Sequence, residues 1–85
     1  MSRASESPFA VEGYLSTEDR SLVLTIYGDY STAVVTINSV SLGKKDEYLL
    51  TSQTHVSLPL SEYSGNVDVV VMIDGKFRFI GSITI

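Results

Sequence analysis

Cysteine is missing from this chain of 85 residues, and histidine occurs once, at position 55. Without thiols there is no disulfide staple and no thiol redox chemistry. A lone histidine also leaves no His/Cys set for a structural metal. Basic residues are few. Six Lys and Arg stand against ten Asp and Glu, for a net charge of −4. Lys44-Lys45 is the only basic pair, and Asp46-Glu47 follows at once. That distribution speaks against nucleic acid and anionic membrane surfaces as partners. No apolar run approaches the roughly 20 residues of a membrane-spanning helix, so no membrane insertion is expected. The polar opening Met1-Ser-Arg-Ala-Ser-Glu-Ser-Pro8 has no leader pattern, which a processed or recombinant start at Met1 would explain. No stretch keeps helical periodicity over ten residues, and no internal repeat is visible.

What the chain does have is strand patterning, strongest in its last third. Asn66-Val-Asp-Val-Val-Val-Met-Ile73, then Asp74-Gly75-Lys76, then Phe77-Arg-Phe-Ile-Gly-Ser-Ile-Thr-Ile85 is a hairpin signal. Side chains alternate along a strand. Val67, Val69, Val71 and Ile73 therefore share one face, and Phe77, Phe79, Gly81, Ile83 and Ile85 share another. A two-residue loop would mix these faces. A three-residue loop, Ile73-Asp74-Gly75, keeps them together by setting Val71 opposite Phe77 and Val69 opposite Phe79. We expect a type I turn with a G1 bulge there, Asp74 and Gly75 forming the structural turn and Gly75 left-handed. The hairpin at 66–85 is expected at the centre of the fold.

The remaining chain divides at its polar and glycine-containing stretches. Residues 1–8 read as a disordered Ser-rich tail, and 9–85 as one domain. Strands are expected at 9–15, at 21–27 with Leu22, Leu24 and Ile26 inward, and at 32–38 with Ala33, Val35 and Ile37 inward. Val34 blurs the phase of that third strand, which 39–42 would extend. A turn at 43–46 precedes a short strand at 47–52. The next strand, 55–60, holds Pro59, which belongs at an edge or a strand end. Seven antiparallel strands with turns every 8–12 residues are the pattern of an all-β, immunoglobulin-like β-sandwich. A barrel is the competing architecture, but the chain is short for closure around a filled interior.

Val11-Glu-Gly-Tyr-Leu15, Arg20-Ser-Leu22, Val35-Thr-Ile37, His55-Val-Ser-Leu-Pro-Leu60, Gly65, and the closing Asp74-Gly75 and Gly81-Ser-Ile-Thr-Ile85 resemble a bacterial family. It comprises small secreted immunoglobulin-like proteins of Bacteroides-type gut anaerobes, classed as a domain of unknown function. The resemblance covers most of the chain from Val11 onward. The last strands are also similar to the sorting tails of type IX secretion substrates. The resemblance implies a secreted, periplasmic or envelope-associated sandwich without an assigned activity. It carries over no functional residue.

No catalytic, nucleotide or metal motif stands out, so neither enzyme activity nor a cofactor is expected. His55 has Ser52, Thr54 and Ser57 close in sequence but no carboxylate or nucleophile at a known spacing, which favours a structural role. Glu18, Asp19 and Asp29 fall short of the 6–8 oxygens that calcium requires. The tyrosines carry more promise as contact residues, since aromatics stack on sugars and anchor protein partners. Tyr27 and Tyr30 are the candidates, while Tyr63 suits a tyrosine corner. Val70, Met72 and Ile80 point outward from the final hairpin, an apolar set that implies cover by the N-terminal tail or another chain. We therefore expect a non-catalytic interaction module with a protein or glycan partner, or a homodimer through a sheet face. The alternative is a structural or sorting tail serving secretion or surface assembly.

Overall fold

The computed structural model describes residues 8–85; of the tail expected at 1–8, all but Pro8 lies outside the described residues. Among these residues seven strands follow one another: β1 (Ala10–Ser16), β2 (Ser21–Tyr27), β3 (Ala33–Ser39), β4 (Lys44–Leu50), β5 (His55–Pro59), β6 (Asn66–Ile73) and β7 (Phe77–Thr84). They form two antiparallel sheets, ordered β1-β2-β5 and β4-β3-β6-β7. Among the described residues there is no helix. The fold is an all-β sandwich.

The alternation read from the sequence sets the core. Leu22, Leu24 and Ile26 of β2 face Val35 and Ile37 of β3 and Val67, Val69, Val71 and Ile73 of β6, with Leu58 and Leu60 closing the layer. Phe9, Val11, Phe77, Phe79 and Ile83 pack around it, half-buried. Phe9 meets Phe77 edge-on with ring centroids 5.2 Å apart, the arrangement that aromatic quadrupoles favour.

Three local expectations are corrected. The hairpin is not a central pair: β6 lies inside its sheet, but β7 forms the edge. The other side of β6 is taken by β3, in a pairing that matches Val35 with Val71 and Ile37 with Val69. The hairpin register also lies two residues from the expected one, with Ile73 opposite Phe77, Val71 opposite Phe79 and Val69 opposite Gly81. A two-residue displacement preserves the faces, so the apolar side survives the change. The three-residue loop is Asp74-Gly75-Lys76, closed by Lys76 N–H donating to the Ile73 carbonyl at 3.0 Å. Asp74 (φ 54°) and Gly75 (φ 68°) are both left-handed. Two positive φ angles mark a type I′ rather than a type I turn, and its twist matches that of the flanking strands. Third, β4 begins at Lys44, inside the expected turn, and residues 40–43 turn instead of extending β3. An edge strand tolerates the run Lys44-Lys45-Asp46-Glu47 because its charges reach water.

Asp74 does more than turn the chain. Its Oδ1 accepts hydrogen bonds from the main-chain N–H groups of Ser31 (2.9 Å) and Thr32 (3.0 Å). Its own N–H donates to the Thr32 carbonyl at 2.8 Å. The β6–β7 turn is thereby clamped to the loop that enters β3.

Candidate interaction surface

The cross-strand registers place residues on the outer face of the four-stranded sheet in rows. One row runs Leu49, Val34, Met72, Arg78, and the next Glu47, Thr36, Val70, Ile80. A third, Lys45, Asn38, Asp68, Ser82, is polar throughout. Five apolar side chains thus make one stripe across all four strands. Leu49 and Ile80 are each 68% exposed and Val34 36%, while Val70 and Met72 are half-buried among them. Strands lie about 4.8 Å apart and successive same-face residues about 7 Å apart, so the stripe runs about 14 Å across the strands and about 7 Å along them, Cα to Cα. Arg78 bounds it at the β7 end and Glu47 at the β4 end, the latter 3.7 Å from Lys45.

The other sheet differs in kind. Its outer rows run Tyr14, Val23, Ser57 and Glu12, Thr25, His55, with Tyr27 beyond Glu12. Tyr27 Oη–H donates to Glu12 Oε1 at 2.9 Å, and that carboxylate holds the phenol's proton and raises its pKa. His55 Nδ1 lies 3.1 Å from Thr25 Oγ1. Polar groups on this face are hydrogen-bonded to one another, and its large exposed side chains are the aromatic Tyr14 and Tyr27.

The expected contact residues therefore separate. Val70, Met72 and Ile80 come together, joined by Val34 and Leu49. Tyr27 is exposed but sits on the opposite sheet. Tyr30 is not a surface residue at all: it is 5% exposed, with its hydroxyl donating to the Gln53 carbonyl. Burial raises its pKa. Leu49 and Val34 were legible in principle. Each stands beside an inward apolar neighbour (Leu50, and Val35 or Ala33), and such doublets put one side chain on each face.

Tyr63 is also buried, at the corner between β5 and β6. Its hydroxyl donates to Asp46 Oδ2 at 2.7 Å and lies 3.3 Å from the Ile37 carbonyl. A tyrosine corner would bond a few residues upstream, whereas this phenol reaches across to the paired residues Ile37 and Asp46 of β3 and β4. Arg20 Nη2 donates to the Tyr63 carbonyl at 3.2 Å. Lys44 Nζ sits 5.4 Å from the ring centre, 3.1 Å from Glu62 and 3.6 Å from Asp46. Burial first, then the Asp46 carboxylate, pushes the Tyr63 pKa strongly upward. A phenol held neutral in this way is a fastening, not a base at neutral pH.

Asp19 is likewise engaged, accepting from Ser21 Oγ at 2.9 Å. Among the described residues no three His, Asp or Glu side chains gather as a metal-binding group. A slot of about 230 Å³ opens between the edge strands β1 and β7, walled by Val11, Leu22, Leu24, Val71, Phe79 and Ile83. Two inward-facing glycines, Gly13 and Gly81, stand where side chains would narrow it.

Fold and surface together define a class, a two-sheet sandwich, seven-stranded among the described residues, with an aliphatic stripe across one outer face. Compared with protein-family models, curated proteins and solved structures, the chain matches none.

Proposed function

We propose that this chain is a non-catalytic, immunoglobulin-like interaction module of the bacterial envelope or exterior, which binds a protein partner through the outer face of β4-β3-β6-β7. The unbroken stripe Leu49, Val34, Met72, Val70 and Ile80 carries the reading. Exposed apolar side chains are ordinary when scattered, and informative when they meet across four strands inside a charged rim. An apolar centre with Arg78 and Glu47 at its ends has the anatomy of a small protein-binding patch. The immunoglobulin-like assignment is supported by strands placed as β1-β2-β5 over β4-β3-β6-β7. It departs from the constant-type arrangement in that the fourth strand pairs with the third. Envelope or secreted placement draws on the motif resemblance alone. The stripe is aliphatic, with no aromatic ring to stack on a sugar, which favours protein over glycan.

An apolar fluorescent probe, 1-anilinonaphthalene-8-sulfonate, titrated into isotope-labelled protein provides the test. Amide shifts are expected to cluster at Val34, Leu49, Val70, Met72 and Ile80, and to vanish in Leu49→Lys with an unchanged melting temperature. Equal or larger shifts at Tyr14, Val23 and Tyr27 would overturn the choice of face.

A further inference from the structure

The two edges of the four-stranded sheet are unlike. β4 is charged over its first four residues, which discourages strand addition. β7 is eight residues long, stays in unbroken register with β6 from Phe77 to Thr84, and carries Arg78 as its only charge. It contains no Lys or Pro, two of the usual edge protections.

The polarity of this edge follows from one pair. Gly65 and Ile85 exchange both main-chain hydrogen bonds, Gly65 N–H to the Ile85 carbonyl at 3.3 Å and Ile85 N–H to the Gly65 carbonyl at 2.9 Å. Bonded and non-bonded pairs alternate along an antiparallel ladder. Phe77, Phe79, Gly81 and Ile83 therefore direct their main-chain groups to β6. Arg78, Ile80, Ser82 and Thr84 direct theirs to the open side.

We propose that this edge is a self-association site, where β7 pairs antiparallel with β7 of a second copy about a twofold axis at Ile80. In that register Ile80 faces Ile80 of the second copy, Arg78 faces Ser82, Phe79 faces Gly81 and Phe77 faces Ile83. Every pair shares a face, as a ladder requires. The Ile80 pair and both Arg78–Ser82 pairs are the hydrogen-bonded ones, which engages main-chain groups that have no strand partner among the described residues. Phe79 and Gly81 form the closer, non-bonded pair. Each Phe79 ring then covers the bare backbone of a Gly81, the residue that borders the slot between β1 and β7. No like charges are opposed. Moving the axis by one residue sets Gly81 against Gly81, leaving the gap, or crowds Phe79 against Phe79. The proposal stands on the edge geometry and is independent of the partner reading above. Its consequence for that reading is that the two apolar stripes join through the Ile80 pair into one surface.

Sedimentation equilibrium of the 85-residue chain from about 10 µM to about 1 mM tests it. The mass is expected to climb from 9.3 kDa toward twice that value. Ser82→Pro removes an edge-directed N–H in each copy without touching β6 or the apolar stripe. Two lost hydrogen bonds raise the dissociation constant by about thirtyfold. Leu49→Lys, on the far strand of the same face, leaves association unchanged. In the unmodified protein, amide exchange at Ile80 and Ser82 slows as concentration rises. A constant 9.3 kDa mass, dissociation by Leu49→Lys but not Ser82→Pro, or concentration-independent exchange at those amides would each overturn the proposal. Should Ser82→Pro fail to fold, the exchange measurement decides by itself.

Discussion

Replacing Gly81 with valine stabilises this protein, because the residue faces inward onto space that nothing fills. Position 81 lies opposite Val69 in the β6–β7 ladder and borders the slot of about 230 Å³ between β1 and β7. A Cβ placed there meets no atom within 4 Å, and Gly81 is not among the glycines with positive φ. Adding a Cβ at a compatible position contributes about 0.4–1 kcal/mol by restricting the unfolded chain. Valine's two further methyls are worth about 0.8 kcal/mol each when fully buried. Half that burial in an open slot brings the total to roughly 1–2 kcal/mol. For a domain of this size that raises Tm by roughly 5–15 °C. Thermal melts followed by circular dichroism at about 10 µM, the monomeric end of the sedimentation range, measure it. The opposite wall supplies a control of opposite sign. A Cβ at Gly13 would lie 2.7 Å from Leu24 Cδ2, a core side chain 3% exposed. Gly13→Ala must push that leucine from its rotamer, a loss of about 1 kcal/mol. If Gly81→Val melts at or below the parent protein, the slot is not open apolar space and the reasoning fails.

Other perturbations have defined outcomes. Gly75→Val forces a β-branched residue to φ 68° and costs about 1–2 kcal/mol despite free space around its Cβ. Asp74→Asn keeps both the left-handed tolerance and an acceptor for Ser31 and Thr32, so urea midpoints should fall much further for the valine variant. Tyr63→Phe removes the hydroxyl shared by Asp46 and Ile37 and lowers stability by about 1–2 kcal/mol in the same assay. Tyr63 also governs alkaline behaviour. Its folded pKa is raised above the ordinary 10.0, so its stabilising contribution is complete below that pH and lost as pH rises past it. Urea midpoints between about pH 9 and 11.5 should decline, and less steeply in Tyr63→Phe; equal slopes would show that the phenol ionises as freely in the folded state.

Much of the fold is written in the strand period, and the reason is local. Alternation decides which side of a strand is oily before any partner is chosen, so the inward sets of β2, β3 and β6 follow from residue order alone. Asp-Gly likewise requires a turn wherever it stands between two β-branched runs. The register beside that turn was not legible, because displacements of two residues leave every face unchanged and only contacts with the rest of the sheet discriminate. Outward Val70, Met72 and Ile80 follow from the same alternation. That they meet Val34 and Leu49 does not, since the meeting needs β3 inserted between β4 and β6.

By itself, then, the order of residues determined an all-β chain, a turn at Asp74-Gly75 and the inward apolar sets of β2, β3 and β6. Only the tertiary structure decided that β6 is internal and β7 an edge, that Tyr30 and Tyr63 lie inside, and that an aliphatic stripe crosses one outer face. The division has a physical cause. Periodicity acts between neighbours in the chain, whereas a pair such as Val35 with Val71 forms across a long loop. Its free energy depends on all the strands that close the same core.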